Sequence, residues 1–187
     1  MEQFQSEQMS LFLTVPPRSD EHVKQSSDTK GHVHQAVTWH LFIDGAARRN
    51  PGPAGAGIYI LKDGMPFFQD GYYLGELTNN QAEYMSLLVG LYYVEQWKQP
   101  EDELSIFSDS QLLVRQIHGI YRVRNEGLLQ KHKVALQWVK ALHGSIHHIP
   151  REENSHADSM ANKGIDLKKA VPAQFTTRLR AYEAALR

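Results

Sequence analysis

Four carboxylates stand where a folding chain normally avoids them. Glu83 lies on an apolar helical stripe that continues through Leu87, Leu91 and Val94, and a charge facing a core is costly unless something compensates it. Asp44 and Asp109 each close a short apolar run, TWHLFID and LSIFSD, where the chain turns away. Asp158 falls in the first turns of a helical pattern, beside Ala157 and ahead of Met160 and Ala161. Carboxylates brought together repel and raise one another's pKa unless a cation is present. Hard oxygen ligands in a chain with no cysteine select Mg²⁺ or Mn²⁺ over zinc. Two such ions about 3.5–4 Å apart activate a water and stabilise the leaving oxygen of a phosphodiester. Taken singly, each acid reads first as a cap, a solvated side chain or half of an ion pair. Spacing alone does not overturn that reading for all four.

The elements that must bring these acids together follow from the hydrophobic pattern. Trp39, Leu41 and Ile43 alternate with His40, Phe42 and Asp44, which predicts a strand. The Gly/Pro-rich RRNPGPAGAG predicts a turn into a second strand, AGIYIL, and Asp63-Gly64 predicts a tight hairpin into a third, PFFQDGYYLG. The stretch 78–97 predicts a helix that ends before the breaker KQPEDE. A short buried strand, LSIFSDS, and a helix, SQLLVRQI, come next. A long amphipathic helix, LLQKHKVALQWVKAL, precedes a fifth strand, SIHHIP, and a helix in NSHADSMANKGI. The order β-β-β-α-β-α-α-β-α implies an α/β fold: a five-stranded mixed sheet, three antiparallel strands then two parallel, with helices on both faces. In such sheets the functional crevice forms at the carboxyl ends of strands beside helix starts, where all four acids fall.

The chain divides into a polar N-terminal tail at 1–37, an ordered domain at 38–167 and a basic C-terminal tail at 168–187. In that last tail Phe175, Leu179, Tyr182 and Leu186 share one helical stripe. Lys168, Lys169, Arg178, Arg180 and Arg187 there oppose Glu183; the first reading is a helix that docks on the domain or mediates dimerisation, with a phosphate contact as the alternative. Apolar residues make up 41% of the chain, enough for a core, and the net charge of −1 argues against a strongly basic nucleic-acid binder. No run approaches the roughly 18–20 apolar residues of a membrane span, and the N-terminus lacks the pattern of a secretory signal. The expectation is a cytoplasmic, monomeric protein without membrane attachment.

The words IDGAARRNPGPAGAG, TNNQAEY, FSDSQLLV and PREENSHADSMAN, in this order, resemble the signature segments of type 1 ribonuclease H across residues 38–167. The resemblance implies the ribonuclease H-like fold and an endonuclease that cuts the RNA strand of RNA/DNA hybrids, leaving 5′-phosphate and 3′-hydroxyl ends. It implies two Mg²⁺ ions, with Mn²⁺ able to substitute, held by Asp44, Glu83, Asp109 and Asp158. It places Asn50, Asn79 and Asn80 in the minor groove of the hybrid, as amides that read 2′-hydroxyls, with Gly45 allowing close approach of the ribose-phosphate chain. Turn formation and helix capping are the other readings of Asn50 and Asn79. A histidine ahead of the last helix assists many members. Counting back ten residues from Asp158 gives His148, with His156 as its rival. Arg151 is the candidate phosphate contact, against simple solvation.

The chain departs from the family in two places. Many members carry a basic, Trp-bearing handle between the second helix and the last strand. This chain has a shorter region in which Arg115, Arg122, Arg124, Lys131, Lys133 and Lys140 oppose Glu126 alone. Glu76 stands where some relatives place a basic ligand for DNA phosphate. The competing readings are a nuclease of the same fold acting on double-stranded RNA or DNA, and a catalytically dead hybrid-binding module. Near the N-terminus, Gln8, Met9, Ser10, Leu11 and Phe12 resemble the pentapeptide that binds the bacterial sliding clamp, with local packing on the domain as the alternative.

Overall fold

Trp39, Leu41 and Ile43 point to one side of a ten-residue strand, β1 (Thr38–Ala47), and are almost wholly removed from water. Burying three such side chains stabilises the fold by several kcal/mol, at about 1.5–3 each. The computed structural model describes residues 35–186; the pentapeptide Gln8–Phe12 lies outside them.

β1 is the centre of a five-stranded sheet in the order β3-β2-β1-β4-β5. β2 (Gly52–Lys62) and β3 (Met65–Leu77) extend it in antiparallel fashion on one side. β4 (Glu103–Ser108) and β5 (Gly144–His148) run parallel to it on the other. This is the mixed sheet expected from the sequence. The β2–β3 hairpin turns at Asp63 and Gly64, both in the left-handed region with φ of 51° and 76°, as a twisted two-residue hairpin requires.

Helix α1 (Asn79–Trp97) begins with a capping box. Thr78 Oγ1 accepts from the Gln81 backbone N–H, and the Gln81 side chain accepts from the Thr78 backbone N–H. Its stripe of Leu87, Leu91 and Val94 is fully buried against the Leu41 and Ile43 face of β1, which Gly90 approaches directly. Ser110 caps the short α2 (Gln111–Ile117), and Asn125 caps α3 (Glu126–Ala141). A 3₁₀ turn, Arg151–Asn154, leads into α4 (Ser155–Leu167).

One difference from the sequence reading concerns β2, which starts at Gly52 rather than at Ala56. The small residues Gly52–Gly57 are strand because α4 crosses the sheet on top of them. A Cβ at Gly57 would lie 1.9 Å from the Ala157 carbonyl oxygen, and one at Gly71 the same distance from that of Met160. Helix backbone therefore rests on strand backbone, with no side chain between. Small residues read as a turn in sequence, but here they form a seat.

The last helix, α5 (Ala173–Ala185), docks on α1 and α3. Phe175 is 1% exposed, Tyr182 stacks on Trp138 with centroids 4.5 Å apart, and Arg178 grips Glu95 through two bonds of 2.8 and 2.6 Å. Lys169 pairs with Asp70. These cations of the C-terminal tail are thus spent on docking. Among the described residues no helix is long and apolar enough to cross a membrane.

The seat under α4 tolerates no added volume. Gly57→Ala is expected to lower stability by about 2–3 kcal/mol, the upper range for overpacking, read as the midpoint of urea unfolding. A midpoint equal to that of the parent would show that the helix can lift off.

Candidate active site

The β1/β4 ladder runs from Thr38↔Glu103 to Phe42↔Phe107 and stops. Past that point the strands part, and two backbone carbonyls of β1 are taken by side chains. The amide Nδ2 of Asn154 donates to Ile43 O at 2.9 Å, and the Ser86 hydroxyl donates to Asp44 O. Asp109 directly follows the end of β4; Asp44, expected to close β1, lies three residues before its end, because β1 continues to Ala47 along the antiparallel ladder with β2. The gap where β1 and β4 part is a strand-end crevice of the kind that hosts ligands in α/β sheets.

Glu83 reaches the same gap from α1. Its approach depends on Gly45, where a Cβ would come within 2.1 Å of the Glu83 nitrogen. At Gly45 it is α1 that packs against the strand backbone. Asp44, Glu83 and Asp109 each bring one carboxylate oxygen within 4.8 Å of the others. Asp44 and Glu83 are each only 6% exposed, and Glu83 Oε2 is buried with no hydrogen-bond partner among the described residues.

Burial is the first cause that pushes the Asp44 carboxyl up to about 7, followed by the charges of Asp109 and Asp158, against a smaller opposing pull from Arg151. Burial likewise holds Glu83 well above the usual carboxylate range, reinforced by Asp44 and Asp109 and opposed by the Gly45 N–H and Arg151. Three acids this close cannot all ionise at neutral pH without a counter-charge. A divalent cation with hard-ligand preferences fits the gap: every donor is a carboxylate oxygen, and one buried oxygen is idle.

Asp158, the fourth predicted acid, stands beside this trio rather than within it. It is half-exposed; Arg151 binds its Oδ1 at 2.9 Å and Asn162 its Oδ2 at 3.3 Å. Its charge is close enough to raise Asp44. The Arg151 side chain is 77% exposed, so this counter-ion sits on a solvated arm.

The asparagines of the expected substrate surface form one local network. Asn50 Oδ1 accepts from the Asn79 backbone N–H at 3.1 Å, and Asn79 Oδ1 accepts from the Ala47 backbone N–H at 3.2 Å. These bonds tie the β1–β2 turn to the start of α1. They use only the amide oxygens, and among the described residues neither side-chain nitrogen has an acceptor. Asn80 is exposed on the same first turn. His148 is exposed at the end of β5, where it shares an open groove with Gln111. His156 stacks its ring on Tyr59 with centroids 4.5 Å apart. In the shortened basic region Val123 is buried while Arg122 and Arg124 on either side are exposed, and Arg115 lies over the Tyr121 ring.

Two residues at the site escaped the sequence reading. Ser86 carries no signal beyond a small polar residue in an apolar helix. Asn154 had a signal, an asparagine at a helix start four residues before Asp158, but that pattern reads as an ordinary cap.

A family model described as reverse transcriptase-like matches residues 42–164. Ribonuclease HI of Halobacterium salinarum is 35% identical over 129 residues, which take in 68% of this chain and 64% of that protein. A bifunctional protein of Mycobacterium tuberculosis is 33% identical over 127 residues, 66% of this chain and 34% of the relative. The chain therefore spans about two thirds and one third of these relatives' lengths. The crystal structure of LC11-RNase H1 in complex with an RNA/DNA hybrid is 35% identical, covers 68% of this chain and 96% of its own, and gives a TM-score of 0.65. By its matched segments, its strand order and its converged carboxylates, the chain belongs to the ribonuclease H family, among the type 1 members.

Proposed function

We propose that the chain is an endoribonuclease that hydrolyses the RNA strand of RNA/DNA hybrids, leaving 5′-phosphate and 3′-hydroxyl ends, with residues 38–167 as its catalytic unit. The observation that carries this reading is the trio Asp44, Glu83 and Asp109, converged within 4.8 Å, with Asp44 and Glu83 buried. The similarity to LC11-RNase H1, solved with an RNA/DNA hybrid, supports the choice of substrate.

Asp44, Glu83 and Asp109 are the residues that would hold Mg²⁺, or Mn²⁺ in its place, and Asp158 would join them when Arg151 is drawn away from it. A pair of such ions supplies a water of lowered pKa and neutralises charge on the phosphodiester. The chain's own groups do the rest. Asn50, Asn79 and Asn80 offer amide nitrogens to the 2′-hydroxyls and to the minor-groove base edges, which only a ribose strand presents in full. The bonds between Asn50, Asn79 and Ala47 hold the side-chain amides of Asn50 and Asn79 in place before substrate arrives. Arg151, released from Asp158, offers its planar fork to a neighbouring phosphate. His148, exposed at the end of β5, would exchange a proton with the leaving oxygen or help product depart. The alternative of a nuclease for DNA is disfavoured by the paired asparagines, which have no 2′-hydroxyl to read there.

Asp109→Asn removes one full charge from the reacting centre. Cleavage of a labelled hybrid in Mg²⁺ is expected to fall at least about 100-fold; near-parental cleavage would refute the site. Matched duplexes of RNA and of DNA run in the same assay separate the substrate classes, and faster cutting of either would move the proposal to that class.

In EDTA the raised carboxyls weaken the fold. Asp44 binds its proton more tightly folded than unfolded, so stability declines as pH rises from the unfolded value near 4 toward about 7, and the penalty is complete above that. Asp44→Asn is therefore expected to raise Tm more at pH 8 than at pH 5 in EDTA, and to lose the parent's stabilisation by Mg²⁺. An equal gain at both pH values would show that Asp44 carries no such penalty.

The pentapeptide Gln8–Phe12 adds a second partner to the proposal, a bacterial sliding clamp reached through a tether that raises local concentration on DNA. Deleting residues 7–12 is expected to abolish capture by an immobilised clamp; unchanged capture ends that idea.

A further inference from the structure

Asn154 is 1% exposed and sits at the junction of the 3₁₀ turn and α4, four residues before Asp158. An asparagine there is expected to cap the helix by accepting a backbone N–H, yet its side chain makes no capping bond. It turns inward instead. Nδ2 donates to Ile43 O at 2.9 Å and to Asp109 Oδ1 at 3.0 Å. Both partners accept only, so the nitrogen must be the atom that faces them. Both protons of one amide are thereby used, one on the strand that bears Asp44 and one on the Asp109 carboxylate. Oδ1 is left buried, with no partner among the described residues. Leaving a buried acceptor idle is costly, which a mere cap does not explain.

We propose that Asn154 is a positioning residue. It fixes the rotation of the Asp109 carboxylate against Asp44 and ties β1 to the start of the helix that bears Asp158, so that the carboxylates are set before any cation arrives. This rests on the proposed metal-holding role of the trio. Partners of this kind orient ligands without touching the metal, and losing one typically costs 10- to 100-fold in metal affinity.

The test is a titration of the nucleic-acid-free protein with Mn²⁺, counting free ion by electron paramagnetic resonance, beside thermal melting in EDTA. Asn154→Ala is expected to weaken Mn²⁺ binding about tenfold or more. Asn154→Ser keeps one donor, is expected to fall between Ala and the parent, and decides the matter if the alanine variant does not fold. A purely structural role would lower Tm in EDTA and leave the Mn²⁺ titration where it was. Folded variants that bind Mn²⁺ within twofold of the parent overturn the proposal. Asp109→Asn is the reference. If it weakens binding while the Asn154 variants do not, only the positioning role falls; if it too binds like the parent, the metal-holding reading falls with it.

Discussion

Helices that lie on the sheet with no side chains between them are the constraint on which the site depends. The acids sit on different elements; three of them, Asp44, Glu83 and Asp109, must end within a few ångströms of one point, with Asp158 beside them. A normal helix-to-sheet spacing would leave Glu83 and Asp158 too far out. Missing Cβ atoms at Gly45, Gly57 and Gly71 let α1 and α4 settle to backbone contact with β1, β2 and β3. Packing of this kind is intolerant of change because interiors are already close-packed. It converts a loose coincidence in sequence into a fixed geometry.

The parting of β1 from β4 creates the opposite problem. A strand that loses its neighbour leaves carbonyls without donors, and a buried carbonyl needs one. Asn154 supplies one to Ile43 O. The crevice is thus open to a ligand while its backbone stays satisfied, and the residue that satisfies it stands immediately before the helix carrying Asp158. Backbone accounting and site assembly are done by the same side chain.

Much of this was legible beforehand because it is written in periodic patterns. The alternation Trp39, Leu41, Ile43 and the stripe Leu87, Leu91, Val94 specify a strand and a helix whatever their partners. Glu83 was conspicuous because a charge broke such a stripe. What remained hidden depends on distances between elements far apart in sequence. Gly52–Gly57 looked like a turn, since nothing local announces that a helix will cover it. Asn154 drew no notice, since its partners are 111 and 45 residues away. That Arg151 holds Asp158 depends on the 3₁₀ turn between them, which shows no periodicity of its own.

That Arg151–Asp158 pair gives the crevice the character of an ion exchanger. Its resident counter-ion is an organic cation on a solvated arm rather than one locked in the core. Exposed pairs of this sort are held by little, about 0–1 kcal/mol, so a stronger inorganic cation would displace the guanidinium at small cost. The displaced charge would swing outward to the mouth of the crevice, where a polyanion must enter. Loading the site and baiting its entrance would then be a single event.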